Sequence, residues 1–228
     1  MRSYGKLLLA LAIGASACAA PAQDPLKAYP KNYSLALDND EVSVIRVHYG
    51  PHEKVGAHDH SKFPTIYVYL NNSGPVHFVH DEKPPFELTR PPSTKGEFRV
   101  SPGRIERHSV ENLSDLSSDF LRVELKQVPL NSGLQEFRGK APNSPAAIYD
   151  VVEFKSAAFD IERVVCSSCE VNTGGMPSLY VAFSPLKVDG RRLKDGEVLW
   201  DPGVRTASVS AASDAPAHLL RIVMKRKQ

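Results

Sequence analysis

The sequence predicts an all-β protein built from two tandem copies of one strand arrangement. Three observations predict it: short apolar runs, evenly spread turn residues, and an ordered internal match. The 228 residues include 18 Pro and 14 Gly, a density that favours many turns and few long helices. Alternating or β-branched runs mark residues 42–49, 65–70, 76–79, 97–100 and 120–126 as strands. Turn chemistry separates them at Asn71-Asn72-Ser73-Gly74, Pro84-Pro85 and Ser101-Pro102-Gly103. Antiparallel strands at this spacing make a sandwich or barrel. Only residues 134–140 hint at a short helix.

The internal match fixes the organisation. Residues 42–47 match 159–164 at an offset of 117, and residues 66–68 match 179–181 at 113. Gly96 and Gly103 match Gly196 and Gly203 at 100, and residues 121–123 match 220–222 at 99. The same order with a falling offset means the same strands joined by loops shorter by 4, 13 and 1 residues, which is internal duplication. The first repeat is assigned to residues 23–128, a linker rich in Asn, Ser, Gly and Pro to 129–147, and the second repeat to 148–228.

Residues 1–22 are not read as fold. Arg2 and Lys6 precede an apolar stretch, and small residues crowd positions 15–22, the order of a secretory signal cleaved after Ala22. The run Ala15-Ser16-Ala17-Cys18 is an alternative, a lipoprotein box with lipid on Cys18. An exported, periplasmic or secreted chain is expected. No later apolar run approaches the roughly 18 residues needed to cross a bilayer as a helix. Without Arg2 and Lys6 the chain carries 26 basic against 26 acidic residues, so it has no electrostatic footprint for nucleic acid.

Beyond Cys18 the cysteines are Cys166 and Cys169. In an oxidising compartment the pair reads as a short-range disulfide. A redox CxxC opens a helix after a strand, and the flanking Val164, Val165 and Val171 carry no helical signal.

The chemistry sits in the first repeat, at His58-Asp59-His60 and at His108. Residues two apart on a strand project to one face, so the His58 and His60 imidazoles can reach a common point inside a barrel. Asp59 then points the other way. Thr65, Tyr67 and Tyr69 share one parity and are candidates to line the cavity. His48, His52, His77, His80 and His218 read as ordinary strand or loop histidines, and Asn112 as a residue that orients a turn. At the matched offsets, His58, His60 and His108 fall opposite Val171, Thr173 and Ala207, so the second repeat carries no such site.

These residues carry a family resemblance. Gly56, His58, His60 and Gly74 are similar to the opening motif of the cupins, and Gly96, Pro102, His108 and Asn112 to the closing one. The resemblance implies a double-stranded β-helix, or jelly roll, in each repeat. It also implies that His58, His60 and His108 ligate one divalent transition metal: Fe(II), Zn(II), Mn(II), Ni(II) or Cu(II), which ligand type alone does not separate. Two departures stand out. The glutamate ligand expected about five residues after the second histidine is Thr65 here, and the step from Pro102 to His108 is one residue longer than usual. A three-histidine cupin resembles metal-dependent dioxygenases acting on small organic substrates. The alternatives are a periplasmic binding or sensory module with a structural metal, and a scaffold protein. The partner expected is a small organic molecule, with a homodimer left open. Acid should release the ion through about pH 6, near the reference histidine pKa of ~6.5.

Overall fold

The computed structural model describes residues 23–130, 132–142 and 148–225, so the signal and lipoprotein readings of residues 1–22 lie outside the described residues. A four-residue helix, α1 (Pro25–Ala28), leads into strands throughout. The first repeat forms a six-stranded sheet in the order β1 (Tyr33–Asp38), β2 (Val42–Tyr49), β9 (Ser118–Leu125), β4 (Thr65–Tyr69), β7 (Phe98–Ser101) and β10 (Phe137–Gly139). Facing it is a four-stranded sheet, β3 (Lys54–His60), β8 (Glu106–Asn112), β5 (Val76–His80) and β6 (Phe86–Arg90).

The second repeat has the same plan. Its larger sheet runs β11 (Ile148–Lys155), β12 (Phe159–Cys166), β19 (Ala217–Met224), β14 (Ser178–Ala182) and β17 (Val198–Asp201). Its smaller one runs β13 (Ser168–Asn172), β18 (Thr206–Ala211), β15 (Leu186–Val188) and β16 (Arg191–Leu193). Registers repeat as well. Arg46 pairs with Leu121 and Arg163 with Leu220, while Tyr67 pairs with Arg122 and Tyr180 with Arg221. Each pair joins residues that the sequence offsets equate.

Strand parity explains why all five residues of β4 and of β14 are buried. In the larger sheet of the first repeat, Val44, Ile66, Val68, Val100, Leu121 and Val123 face the second repeat, where they pack with Ile161, Leu179, Val181 and Ile222. The alternate residues Val47, Tyr49, Tyr67, Tyr69 and Phe120 face into the first barrel. A sheet buried on both faces needs a covering layer, and each repeat supplies it to the other.

Two arginines tie the repeats reciprocally. Arg46 of β2 donates to the Gly196 carbonyl, and its equivalent Arg163 of β12 donates to the Gly96 carbonyl at 2.8 Å. Gly96 and Gly196 adopt φ of +88° and +76°, a left-handed turn that favours glycine and aims each carbonyl at the neighbouring repeat. Arg163 is fully buried. Its guanidinium is completed by Glu153, at 2.7 and 2.9 Å, and by His218 Nε2 at 3.0 Å.

The segment between the repeats departs from expectation. In place of a helix over residues 134–140 there is β10, which extends the first sheet by pairing Phe137 with Val100 and Gly139 with Phe98. Phe137 also packs on Phe98 and Phe154, with ring centroids 5.8 and 5.1 Å away. An open sheet edge and an aromatic slot outweigh the weak helical pattern of so short a segment. Cys166 and Cys169 are joined by a disulfide.

Removing the Arg163 side chain leaves the half-buried Glu153 and the buried Gly96 carbonyl without their partner. Arg163→Ala should therefore lose about 3–5 kcal/mol of stability in denaturant unfolding. Arg46→Ala, whose site is more exposed, should lose less.

Candidate metal centre

The smaller sheet of the first repeat builds the site around its central strand, β8. His58 of β3 pairs with His108 of β8 on one side, and His80 of β5 pairs with His108 on the other. Three imidazoles therefore lie in one cross-strand row. Adjacent to that row, His60 pairs with Glu106, and Glu106 shares the inward face of β8 with His108.

A bulge gives β3 this register. Val55 pairs with Val110, yet the next pair is His58 with His108, so three residues of β3 advance against two of β8. The extra residue reverses parity. Val55 faces the core, and after the bulge His58 and His60 face it too. Gly56 lies in the bulge, where a Cβ would come within 2.4 Å of the Tyr29 hydroxyl. Tyr29 crosses there and meets the His58 ring edge-on at 5.6 Å. The missing side chain thus lets the N-terminal segment close over the site.

The rings of His58, His60 and His108 have centroids 4.8–4.9 Å apart. One nitrogen from each lies within 4.8 Å of the others, close enough for small side-chain shifts to bring all three to one ion at about 2.0–2.1 Å. A second group, His80, Glu106 and His108, meets the same test. His58 donates from Nδ1 to the Gly56 carbonyl at 2.8 Å, which leaves Nε2 as an acceptor facing inward, here 2.7 Å from the Tyr33 hydroxyl. That backbone partner fixes tautomer and ring orientation, as outer-sphere partners of metal-bound histidines do. His60 Nδ1 and both nitrogens of His108 are buried without a hydrogen-bond partner. Orphaned imidazole nitrogens are costly, and a cation would satisfy them. This donor set fits a divalent metal ion.

The carboxylate that the sequence lacks at Thr65 comes from another strand. Thr65 is buried with its hydroxyl donating to the Phe63 carbonyl at 2.9 Å. Glu106 instead places Oε1 3.2 Å from His108 Nδ1, within ion-pair distance but off the hydrogen-bond direction, and Oε2 3.1 Å from Arg122 Nη1. Burial alone would raise its pKa. Its contacts with His108 and Arg122 outweigh burial and hold the carboxyl well below the usual range, so it is ionised. Arg122 also donates to Glu124 and to the Tyr67 hydroxyl, at 2.9 and 2.8 Å.

His80 corrects the expectation of an ordinary strand histidine. It is 1% exposed, lies 5.1 Å from His108 between centroids, and stacks on Phe86 at 4.3 Å. The other four keep their ordinary roles. His48 pairs with Asp119, His52 with Asp115, His77 lies beside Thr89, and His218 bonds Arg163. Asp59 faces outward and binds Arg107, and Asn112 donates to the Gly50 and Leu116 carbonyls around a turn. The sequence reading missed Glu106, His80 and Arg122. Glu106 was legible as the i−2 neighbour of His108, whereas His80 joins the site only through register.

His60 and His108, with His80 and Glu106, border a cavity with about 670 Å³ of unfilled space, open solvent at its mouth included. Tyr67 and Tyr69 line it, and Thr65 borders an adjoining hollow that shares Tyr67, Arg99 and Arg122. In the second repeat Val171 pairs with Ala207, as His58 pairs with His108 in the first. Val171, Thr173 and Ala207 are buried there, where Val171 and Ala207 pack among Leu186, Val209 and Leu219.

Neither a protein-family model nor a curated protein matches the sequence. Solved structures do. Pirin YhhW from Escherichia coli, in complex with nickel(II), superposes with a TM-score of 0.60 at 13% identity over 86% of this chain and 91% of that one. A point variant of oxalate decarboxylase from Bacillus subtilis gives 0.54 at 12% identity, over 82% and 69%. A point variant of salicylate 1,2-dioxygenase from Pseudoaminobacter salicylatoxidans gives 0.51 at 12%, over 81% and 72%. These are cupin-fold proteins, and the cupin fold is the fold of this chain.

Burial changes the expected acid response. It lowers the His58 pKa to about 4, against a smaller opposing effect of the Gly56 carbonyl, and pushes His60 well below its usual value. Release of an ion near pH 6 is therefore not set by the reference histidine pKa. In the metal-free protein the folded pKa values lie below the unfolded value of ~6.5, so the unfolded state binds more protons as pH falls. Unfolding free energy should be flat above about pH 7 and decline from 6.5 toward 5. Urea titrations at pH 7.5, 6.5, 5.8 and 5.0 check this, and His58→Gln should flatten the decline.

Proposed function

We propose that His58, His60 and His108 hold one divalent transition metal and that the chain is a metal-dependent cupin acting on a small organic molecule in the adjoining cavity. The observation that carries this reading is the set of three convergent imidazoles, two of which, His60 and His108, have orphaned nitrogens and line that cavity. Support comes from the fold neighbours, which include a nickel(II) complex, a decarboxylase and a dioxygenase. A divalent ion with open positions supplies Lewis-acid or, if redox-active, electron-transfer chemistry. The chain's own residues supply the rest. The Gly56 carbonyl fixes the tautomer of His58, and Arg122 keeps Glu106 ionised as a fixed negative charge beside the ligands. Dioxygen-dependent oxidation of the substrate is the reaction class favoured here, because the three-histidine set most resembles that group. Export belongs to the same reading, supported by residues 1–22 and by the Cys166–Cys169 disulfide.

Metal content of untagged protein tests this. Wild type should hold close to one equivalent, and His58→Ala, His60→Ala or His108→Ala should each retain less than about a tenth. His52→Ala and the double change Cys166→Ser, Cys169→Ser should leave metal content unchanged. Less than a tenth of an equivalent in wild type under every reconstitution would overturn the reading. Oxygen uptake that disappears with the metal would mark an oxidase or dioxygenase, and ligand binding without turnover a binding module.

A further inference from the structure

The cavity beside the three histidines is lined by five arginines, Arg90, Arg99, Arg104, Arg122 and Arg138, against one carboxylate, Glu106. That carboxylate is already engaged by Arg122, and Arg104 lies 3.6 Å from it. Among the described residues Arg90, Arg99 and Arg138 make no ion pair. Arg90 is only 6% exposed, and its polar contact is a 2.7 Å bond to the Ser118 hydroxyl. The Nε atoms of Arg90 and Arg99 are both buried without a hydrogen-bond partner.

The arrangement is costly as it stands. Arg138, Arg99, Tyr67 and Arg122 occupy one cross-strand row of β10, β7, β4 and β9, so Arg138 and Arg99 sit directly opposite each other. Like charges in that relation repel, and the buried guanidinium of Arg90, without an anion, bears a desolvation cost. Aromatic rings relieve part of this. The Arg99 guanidinium lies 4.4 Å over Tyr67, and that of Arg90 lies 5.0 Å over Tyr69 and 5.3 Å over Phe120. Stacking satisfies the face of a guanidinium and leaves its in-plane N–H groups free, and those groups match a carboxylate.

From this we infer that the substrate is a small organic acid, its carboxylate taken by the free edges of Arg90 and Arg99 and its apolar part packed against Tyr69, Phe78 and Phe120. The inference rests on the proposed reading of this cavity as the reaction chamber. It specifies the substrate class, and it makes Arg90 and Arg99 specificity determinants distinct from the metal ligands.

Titration calorimetry on the metal-free, full-length mature protein separates the two ideas, because it needs no metal. The probes are benzoate, 4-hydroxybenzoate and succinate, each with its amide, and inorganic phosphate. At least one acid should bind at least tenfold tighter than its amide and than phosphate, with affinity falling as sodium chloride is added. Arg99→Gln and Arg90→Gln should each weaken that acid at least tenfold. Arg99 is the more exposed of the two, so its variant serves should Arg90→Gln fail to fold. Equal binding of acid and amide, phosphate binding as tightly as any acid, or no acid binding at 10 mM would overturn the inference. Metal content of the same preparations then tells which idea failed. Full loading without acid preference leaves the metal reading intact, whereas arginine-dependent acid binding without loading removes only the metal.

Discussion

Four imidazoles, a carboxylate and a guanidinium packed inside one small barrel are the constraint on which the rest of the structure depends. His58, His80, Glu106, His108 and Arg122 are all under 10% exposed, and polar groups of that kind destabilise a core unless each finds a partner. Much of the architecture supplies partners. Gly56 turns its carbonyl to His58, Arg122 bridges Glu106, Glu124 and Tyr67, and Tyr33 and Tyr49 pass a hydrogen bond toward His58. Among the four imidazoles, Glu106 and Arg122, what remains unpaired is concentrated on His60 and His108, where an ion would lie.

The second repeat is what the same frame looks like without that demand. Strand order and register persist, but Val171 and Ala207 occupy the places of His58 and His108, and the interior closes on Val164, Leu186, Val209 and Leu219. Its larger sheet buries the outer face of the larger sheet of the first repeat. The division of labour is physical: an apolar repeat contributes stability, and a polar repeat holds chemistry that costs stability. Arg46 and Arg163 fix the two in register by matched contacts across their interface.

Much of this was legible in the chain itself, because duplication turns one sequence into its own alignment. The offsets locate the starts of β2 and β12, of β4 and β14, and of β9 and β19, and they set Val171, Thr173 and Ala207 against the three histidines. His-x-His parity placed His58 and His60 on one face. Three features were hidden for separate physical reasons. The bulge at Gly56 is a register event, visible only once β8 is beside β3. His80 is two strands from His58 and becomes part of the site through pairing with His108. The strand at Phe137 forms because the edge of β7 and the Phe98 and Phe154 rings accept it, not because of local propensity. Glu106 is a different case, since its spacing from His108 was readable and attention to the usual position at Thr65 passed over it.

The central claim is geometric: three imidazoles from two adjacent strands converge on one ion. X-ray absorption of the cobalt(II)- or nickel(II)-loaded protein measures that arrangement directly. The account predicts nitrogen or oxygen ligands at about 2.0–2.2 Å with outer-shell scattering from three imidazoles, falling to two in His108→Ala loaded at excess metal. A spectrum with no imidazole scattering, or one unchanged by His108→Ala, would contradict it.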